Sequence, residues 1–484
     1  MTSSLPQSLM HAPPAQFLGG HWVEGDRDMP VSNPATGAVI AAVADASPDT
    51  ARSALDAAVA AQDAWAASDP RHRSEVLMNA FALLCDRSEH IARTITLEMG
   101  KPFDEALGEV GYGAEFLRWF AEEAVRGRGE YFRAPVGNQR IVVTRQPVGP
   151  ALAITPWNFP LAMVTRKIAP ALAAGCTVVL KPAPQTPLTA LEFMRILEDA
   201  GLPAGVVNCV TTSDAAGMSK ALLADPRLRK LTFTGSTAVG RHLLASAAGQ
   251  VLRVSMELGG NAPFVVLESA DLDKAVHGAV TAKLRNAGQT CVAANRFLVH
   301  ESLAGEFTER LAGEFAALPV GDGMIESNRI GPLIDAAAVR RVTALADEAL
   351  AHGAQICSPG PAFEGPGYFV RPTVLTGVSP GTRLWREEIF GPLAPIRTFT
   401  TTREALELAD DTEAGLVGYV FGENLGDTMD FAERLQTGMV GVNTGMVSDP
   451  AAPFGGIKAS GIGREGGTTG IEEYLEQKYL AVAL

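Results

Sequence analysis

The sequence lacks the features by which a chain binds polyanions or enters a membrane. Its 484 residues carry 40 Lys and Arg against 54 Asp and Glu, a formal net charge of -14. Such an acidic balance argues against nucleic acid or an anionic membrane as the main partner. The longest nearly apolar run, residues 168–180, is too short to cross a bilayer, and residues 1–16 have neither the cationic nor the apolar part of an export leader. We therefore expect a cytoplasmic protein without a membrane anchor.

Cysteine is also scarce, and its spacing excludes the common metal sites. The five cysteines, at positions 85, 176, 209, 291 and 357, form no CxxC pair and no cluster with histidine at metal-ligand spacing. We expect no metal site and reduced thiols. Cys85 follows Leu77, Phe81 and Leu84 on one face of a predicted helix, and this pattern predicts a place for Cys85 in the core.

The order of the predicted elements indicates an α/β protein with more than one domain. A chain of this length exceeds a single hydrophobic core. From Ala151 onward, short apolar strands alternate with helices. This alternation predicts a parallel sheet that is covered on both faces and binds ligands at the carboxyl ends of its strands. Residues 130–147 predict a short hairpin, which we interpret as an arm that extends from the first domain.

The most reactive candidate is Cys291, at the centre of the run KLRNAGQTCVAANR. A thiolate attacks carbon electrophiles, but a free cysteine is mostly protonated at neutral pH, so its surroundings have to favour the anion. Arg285 and Gly288 precede the cysteine, and the polar pair Gln289-Thr290 predicts a turn that exposes the sulfur. The alternative is a small buried hydrophobe, which is the usual state of a lone cysteine.

Three further stretches carry candidate functional groups. FTGSTAVG, residues 233–240, joins a predicted strand to a predicted helix, where backbone N–H groups bind phosphate, but it lacks the GxGxxG spacing. Glu257 in MELGGNAP is a candidate general base, and Asn158 in ITPWNFP is a candidate donor to an oxyanion. Taken singly, the three are also explained as a tight turn, an exposed glutamate and a turn asparagine.

Together these stretches resemble the aldehyde dehydrogenase superfamily over nearly the whole chain. The resemblance rests on ITPWNFP, VVLKPA, FTGST, MELGGNAP, GQTC, EEIFGP and PFGGIKASGIGRE, in the order of the family. It implies an α/β fold with a Rossmann-type nucleotide-binding domain (10–127 and 148–258), an α/β catalytic domain (259–460) and a β-strand oligomerisation arm (128–147 and 461–484). Pairing of arm strands between subunits would give a homodimer or a homotetramer.

The resemblance also implies roles for individual residues. Cys291 attacks the aldehyde carbon, Asn158 and the Cys291 backbone N–H hold the oxyanion, and Glu257 activates the water that hydrolyses the thioester. A free acid is therefore expected as the product rather than an acyl-CoA. A catalytically silent binding protein would have lost one of these three residues, and none is lost. The positions that match the family's cofactor contacts are Trp157, Lys181, Gly235, Ser236, Leu258, Glu388 and Phe390.

The choice of cofactor depends on Pro184. Many relatives that prefer NAD have a glutamate at this position, and its carboxylate would repel the 2′-phosphate of NADP. The run Lys181-Pro-Ala-Pro184 lacks that charge, and Lys181 is available to pair with the phosphate. We therefore expect NADP or NAD as the cofactor, with NADP slightly favoured.

Within the superfamily, the sequence most resembles succinate-semialdehyde dehydrogenases. Arg166 in MVTRK, Arg285 in KLRNAGQTC and Ser448 in GVNTGMVSDPAAPFGGIKASGIGRE match the residues that bind the substrate carboxylate in that group. The predicted reaction is oxidation of succinic semialdehyde to succinate, and the alternatives are glutaric semialdehyde, sulfolactaldehyde or a general range of aldehydes. Either arginine could instead form a structural ion pair or face solvent. Ala293 replaces a second cysteine that, in many relatives, allows a disulfide to gate activity.

Overall fold

The computed structural model describes residues 11–25, 27–357 and 365–483. The prediction about an export leader, as far as it concerns residues 1–10, and the outermost domain boundaries at residues 10 and 484 lie outside the described residues. Within the described ranges, no helix has both the length and the apolar character needed to cross a membrane.

The strands of the described ranges form two large mixed sheets, one three-stranded sheet and two strand pairs. In chain order the strands are β1 (Gln16–Leu18), β2 (His21–Val23), β3 (Asp28–Ser32), β4 (Val39–Ala44), β5 (Glu130–Arg133), β6 (Gln139–Pro147), β7 (Ala151–Ile154), β8 (Val178–Lys181), β9 (Val207–Cys209), β10 (Lys230–Thr234), β11 (Arg253–Glu257), β12 (Ala262–Val266), β13 (Ala294–His300), β14 (Gln355–Ile356), β15 (Thr373–Thr376), β16 (Leu393–Phe399), β17 (Ala414–Gly415), β18 (Val417–Phe421), β19 (Met439–Val442), β20 (Ile457–Lys458), β21 (Gly461–Ile462) and β22 (Leu475–Ala483).

Helices cover the faces of the two large sheets, and many begin at a residue whose side chain caps the first turn, as Ser47, Ser236 and Asp271 do. In chain order the helices are α1 (Pro48–Ala66), α2 (Pro70–Asp86), α3 (Ser88–Met99), α4 (Phe103–Ala124), α5 (Ala162–Ala174), α6 (Pro187–Asp199), α7 (Ala215–Leu223), α8 (Thr237–Ala248), α9 (Leu272–Leu284), α10 (Glu301–Ala317), α11 (Ala336–Ala351), α12 (Arg383–Arg386), α13 (Thr402–Asp410) and α14 (Leu425–Arg434).

The first large sheet has the strand order β2-β1-β9-β8-β7-β10-β11-β21. Its central strands, from β9 to β11, run parallel, and all residues of β7, β8, β9 and β10 are buried. These strands are buried on both faces because helices cover both. The alternation of strands and helices predicted from Ala151 onward is therefore confirmed, and the carboxyl ends of β7, β10 and β11 meet at one edge.

The second large sheet has the order β14-β15-β16-β13-β12-β18-β19, and its strands from β15 to β19 run parallel. Strand β12 follows β11 of the first sheet after a short Gly-rich connection, and α9 leads from β12 to the turn that carries Cys291. This connection brings the start of the second sheet next to the carboxyl end of β11. The predicted α/β fold class is confirmed.

A small antiparallel sheet has the order β22-β6-β5. Its hairpin, β5 and β6, confirms the two strands predicted within residues 130–147, and β22 pairs with β6 over nine residues. The sheet carries large apolar side chains in water, including Tyr131 at 68 % and Tyr479 at 57 % exposure. Strand β21, which the sequence assigned to the same arm, pairs instead with β11 in the first large sheet.

The prediction that Cys85 belongs to the core is wrong. Cys85 is exposed at the end of α2, whereas Leu77, Ala80 and Leu84 are each 0 % exposed. The buried stripe of α2 follows the i, i+3, i+7 positions from Leu77. A residue at i+8 lies about 80° away from that stripe around a 3.6-residue helix, so Cys85 reaches solvent.

Candidate active site

A cavity of about 350 Å³ lies at the carboxyl ends of β7, β10 and β11, facing the turn after α9. This is the edge at which parallel α/β sheets bind ligands. The predicted site residues that line the cavity are Trp157, Asn158, Gly235, Ser236, Glu257, Leu258, Cys291, Glu388 and Phe390. Five other predicted residues, Arg166, Lys181, Pro184, Arg285 and Ser448, do not line it.

Cys291 follows a tight left-handed turn. Helix α9 passes into the 3-10 turn Arg285–Gly288, in which residues 286–288 have positive φ angles of 55°, 53° and 76°. Gly288 suits the last of these positions because it has no Cβ, and a Cβ there would collide with the carbonyl oxygen of Gly391. The chain thus reverses sharply and presents Cys291, half-buried, to the cavity.

The turn predicted at Gln289-Thr290 presents the half-buried Cys291 to the cavity, but the side chains of the turn are themselves buried. Gln289 is 0 % and Thr290 4 % exposed. The Gln289 side chain donates to the carbonyl of Pro332 at 3.2 Å and accepts from the N–H of Ile334 at 2.9 Å. A side chain that completes its own hydrogen bonds in the interior can be buried at little cost, so Gln289 anchors the turn rather than exposing it.

The surroundings of Cys291 do not favour the anion in the protein alone, contrary to the prediction. Burial raises the pKa of the Cys291 thiol to about 12; Arg166 and Arg285 lower this pKa, while Glu388 and Glu257 raise it further. The thiol is therefore protonated at neutral pH, and its reaction requires a base that removes the proton.

Glu257 is the carboxylate that lines the cavity at the end of β11. Its side chain is 3 % exposed, and its Oε2 has no hydrogen-bond partner within the described ranges. Burial raises the pKa of Glu257 well above its usual range, and the charge of Glu465 adds to this effect against Arg166 and Lys167. A carboxylate whose pKa is raised toward neutrality is a stronger base, which suits general base catalysis.

Asn158 is tied to the turn that carries Cys291. Its Nδ2 donates to the carbonyl of Gln289 at 3.0 Å, and its own carbonyl accepts from Lys101 Nζ and Asn286 Nδ2, both at 2.9 Å. A primary amide has two N–H groups, so one N–H of Asn158 is left for another acceptor. The arrangement fixes this donor beside the cysteine, as an oxyanion site requires.

Arg166 is committed to an ion pair, so its predicted role as a ligand of the substrate carboxylate does not fit this geometry. The side chain is 1 % exposed, its Nε pairs with Glu465, and its guanidinium lies 4.2 Å from the centre of the Phe454 ring. Glu465 also pairs with Lys167. The sequence left open whether Arg166 binds the substrate, forms a structural ion pair or faces solvent, and in the structure it forms the ion pair.

Arg285 and Ser448, in contrast, are brought together as predicted. Arg285 Nη2 donates to Ser448 Oγ at 3.3 Å, and Nη1 lies 2.8 Å from the sulfur of Met446. The guanidinium stacks 5.2 Å from the centre of the Phe159 ring and forms no ion pair in the described part of the chain. Arg285 therefore has donors available for an anionic group.

The residues predicted to contact the cofactor form two walls of the cavity. Ser236 caps the N-terminus of α8, where backbone N–H groups favour a phosphate. Trp157 and Phe390 meet edge to face with their ring centres 5.5 Å apart. Glu388 accepts from the N–H of Gly260 at 3.2 Å, and burial raises its pKa to about 7.

Lys181 ends β8 near the same edge, with Pro184 half-buried three residues later. Lys181 is 4 % exposed, its ammonium has no hydrogen-bond or ion-pair partner within the described ranges, and its pKa is lowered by burial to about 8. A buried ammonium without a partner has lost its hydrogen bonds to water. A ribose hydroxyl or a phosphate would accept hydrogen bonds from it in their place. The phosphate-type helix start, the apolar walls and this lysine fit a dinucleotide.

Comparison with known proteins agrees with this geometry. A model described as "Aldehyde dehydrogenase family" matches residues 22–480. The chain belongs to the aldehyde dehydrogenase family. The resemblance inferred from the motifs is thereby confirmed, and the enzyme class with it.

This aldehyde dehydrogenase has close relatives among known proteins. It is 54 % identical to a succinate-semialdehyde dehydrogenase of Paenarthrobacter nicotinovorans, over 92 % of this chain and 99 % of the other. It is 46 % identical to a glutarate-semialdehyde dehydrogenase of Pseudomonas putida, over 97 % of each chain. A solved structure called an E. coli NADP dependent enzyme superimposes with a TM-score of 0.96 at 45 % identity, covering 99 % of this chain and 100 % of that one. The predicted aldehyde dehydrogenase fold is confirmed.

Several residues of the aldehyde dehydrogenase site were not found from the sequence. Met163 and Arg341 line the cavity, and Arg341 donates to the carbonyls of Glu388 and Ile389 at 2.9 and 2.6 Å. It thereby holds the segment that carries Glu388. Arg341 lies within an ordinary amphipathic helix, α11, where no local pattern separates it from a solvated arginine.

One group of metal-type ligands occurs in the described ranges of the aldehyde dehydrogenase, away from the cavity lining. The ligand atoms of His11, His90 and Glu192 lie within 4.8 Å of one another. The two imidazole rings stack 4.0 Å apart, and Glu192 Oε1 accepts from the N–H groups of His11 and Ala12 at 2.9 and 3.1 Å. These contacts tie the N-terminal segment to α3 and α6.

Proposed function

We propose that this aldehyde dehydrogenase oxidises succinic semialdehyde to succinate. The observation that carries the proposal is the pair Arg285–Ser448, in which an arginine near the Cys291 turn has donors but no carboxylate partner in the described part of the chain. Arginine binds a carboxylate through charge-assisted hydrogen bonds, which contribute about 1.5 to 3 kcal/mol each. A relative named for the same substrate, 54 % identical, supports the choice.

Other small anionic aldehydes remain alternatives. Glutaric semialdehyde is longer by one carbon and sulfolactaldehyde ends in a sulfonate, and the same guanidinium can bind either anion. The relative from Pseudomonas putida, 46 % identical, is named for the glutarate semialdehyde. Because Glu465 holds Arg166, the preference for an anionic aldehyde depends on Arg285. If Arg285 does not bind the substrate anion, the protein is a general aldehyde dehydrogenase, which is the third alternative.

The proposed reaction passes through a thiohemiacetal and a thioester on Cys291. Glu257 takes the proton of the Cys291 thiol, and the sulfur attacks the aldehyde carbon. The free N–H of Asn158 and the backbone N–H of Cys291 stabilise the oxyanion that forms. A nicotinamide dinucleotide held by Gly235, Ser236 and Glu388 would supply the acceptor for the hydride that the thiohemiacetal carbon loses as the thioester forms. Glu257 releases the thiol proton to solvent and then removes a proton from the water that hydrolyses the thioester. The carboxylic acid is released, and this second proton passes from Glu257 to the Cys291 thiolate, which restores the thiol.

The cofactor is proposed to be NADP or NAD, with NADP slightly favoured. The 2′-phosphate of NADP would meet no carboxylate at Pro184, and the unpaired ammonium of Lys181 is available to the adenosine ribose or its phosphate. Gly235, Ser236 and the start of α8 would hold the diphosphate. The E. coli enzyme whose structure is 45 % identical to this chain is named as NADP dependent, which supports this order of preference.

A comparison of two aldehydes with the same number of carbons tests the substrate. We expect kcat/KM for succinic semialdehyde to exceed that for butanal by about tenfold to a hundredfold, as one arginine with one or two charge-assisted bonds predicts. Arg285→Leu should abolish most of this preference and leave butanal unaffected, and Arg403→Leu, an exposed arginine of α13, is the control. Equal rates for the two aldehydes in the wild type would contradict the proposal and leave a general aldehyde dehydrogenase.

The chain is further proposed to form a homodimer or homotetramer in the cytoplasm. The small sheet β22-β6-β5 exposes Tyr131, Phe132, Tyr479 and Leu480, and such a surface is usually covered by another subunit. All five cysteines are free, as a reducing compartment requires. The domain division inferred from the resemblance stands as part of this proposal. Light scattering coupled to size-exclusion chromatography measures the oligomer, and a monomer would contradict it.

A further inference from the structure

We propose that Lys101, Glu105 and Glu109 are positioning residues that hold the two catalytic segments against each other. Glu105 and Glu109 lie four apart in the first turns of α4 and so share one helix face, and Lys101 lies in the segment just before this helix. We call the three residues the α4 brace. The inference rests on the roles proposed above for Asn158 and Cys291, and it concerns residues that touch neither substrate nor cofactor.

The first arm of the brace holds the segment that carries Asn158. Lys101 Nζ pairs with Glu109 Oε2 at 2.5 Å and donates to the Asn158 carbonyl at 2.9 Å. Glu109 Oε1 accepts from the N–H groups of Leu161 and Ala162 at 2.9 and 3.2 Å. Lys101 is 1 % and Glu109 3 % exposed, so little water competes for these bonds.

The second arm holds the turn that carries Cys291. Glu105 Oε2 accepts from the N–H of Asn286 at 2.7 Å, inside the left-handed turn. The Asn286 side chain donates to the carbonyls of Asn158 and Gln289 at 2.9 and 3.2 Å. Non-glycine residues with positive φ persist where several contacts over-determine them, and Glu105 supplies one of those contacts.

The two arms converge on the peptide group of Asn158. Its carbonyl accepts one bond from Lys101 and one from Asn286, and the latter residue is itself held by Glu105. The distance between the Asn158 amide and the Cys291 turn is therefore set from α4. An ordinary ion pair of the same helix, Glu115–Arg118, is half-exposed, and no bond from it reaches either segment within the described ranges.

The role of Glu105 is tested by comparing three variants of α4 with the wild type. Glu105→Met removes the acceptor for Asn286 at nearly constant side-chain length, Glu105→Gln keeps an acceptor, and Glu115→Met makes the same chemical change outside the brace. We expect Glu105→Met to lower kcat about tenfold to a hundredfold with KM for the aldehyde changed less than about threefold, because misplaced reacting groups slow the chemical step. Glu105→Gln should recover at least half of the lost activity on a logarithmic scale, and Glu115→Met should match the wild type.

A purely structural role would give a different result. Each variant is measured with succinic semialdehyde and with butanal, and the folded fraction is measured by circular dichroism. A fall in kcat that only follows the folded fraction, or a Glu105→Met enzyme as fast as the wild type, would overturn the inference. Because the brace acts on groups shared by all aldehydes, the ratio of variant to wild type should be the same for both substrates. Failure of the semialdehyde preference would therefore leave this test intact.

The charged arm is tested by a charge-neutral double variant. Lys101→Met alone strands the buried carboxylate of Glu109, so Lys101→Met/Glu109→Gln removes both charges and keeps one acceptor for the Leu161 N–H. We expect a fall in kcat similar to that of Glu105→Met in the correctly folded fraction. Normal kcat in that fraction would overturn the role of Lys101, and should Glu105→Met not fold, Glu105→Asp, whose carboxylate is one methylene shorter, tests the contact with Asn286.

Discussion

Lys283 is expected to destabilise the folded protein at neutral and acidic pH, so that Lys283→Met stabilises it. The side chain lies in the last turn of α9, is 0 % exposed, and its Nζ has no hydrogen-bond partner in the part of the chain that the structure describes. Burial lowers the pKa of Lys283 from 10.5 to about 7, and the charge of Glu388 opposes this fall. An ammonium with no replacement for its hydration is costly to bury.

The magnitude follows from the gap between the two pKa values. Lys283 titrates at 10.5 in the unfolded chain and at about 7 in the folded protein. At about 1.4 kcal/mol per pH unit, this difference lowers the free energy of unfolding by about 5 kcal/mol. Between these two pH values the unfolded chain binds more protons, so the stability of the wild type rises with pH, and the full cost is present only below about pH 7. Lys283→Met should therefore gain up to about 5 kcal/mol at pH 6 and about 2 kcal/mol at pH 9.

The assay is unfolding by heat or urea at pH 6 and pH 9, with Lys167→Met as the matched control. Lys167 is 1 % exposed, but its ammonium pairs with Glu465 and donates to Thr232 at 3.1 Å. Its loss should destabilise the protein at both pH values. A Lys283→Met protein less stable than the wild type at pH 6 would show that the ammonium has a partner. An equal gain at both pH values would show that the pKa of Lys283 is not lowered, and either result would refute the reasoning.

Three further predictions concern the site. Glu257→Gln should slow turnover about 10²- to 10⁴-fold and remove the limb of the kcat profile that rises with pH through the raised pKa of Glu257; an unchanged profile would exclude Glu257 as the base. Glu465→Gln removes a like charge and should move that limb to lower pH, while denaturation should detect a loss of about 3 to 5 kcal/mol because Arg166 and Lys167 lose their counter-ion. Pro184→Glu should lower kcat/KM with NADP at least about tenfold and spare NAD, as one repelled charge predicts.

The sequence was most informative about features that depend on residues close together in the chain. Strand-helix alternation after Ala151 and the motifs around Asn158, Glu257 and Cys291 predicted the parallel sheet and many of the residues that line the cavity. This information lies in apolar residues that recur every 2 residues in strands and every 3.6 residues in helices, together with the glycines of turns. The fold therefore follows from short segments read in order.

The contacts that decide how the site behaves join distant segments, and no local pattern carries them. Arg166 and Glu465 are 299 positions apart, so the ion pair that removes Arg166 from the proposed substrate site became evident only in three dimensions. The same holds for the pKa of Cys291, which depends on burial created by both large sheets. The exposure of Cys85 is a further case. Cys85 lies at the edge of a helix face, and the packing of the whole domain leaves it exposed while its neighbours are buried in the core.

The late position of β21 and Glu465 in the sequence has a consequence for synthesis on the ribosome. Domains form from the N-terminus while translation continues. Until residues 461–465 emerge, β11 lacks its neighbour β21, and Arg166 and Lys167 lack Glu465. A nascent chain can therefore build most of the first sheet but not the electrostatic environment of Glu257. Residues 11–464 are therefore all translated before the site has its complete set of charges.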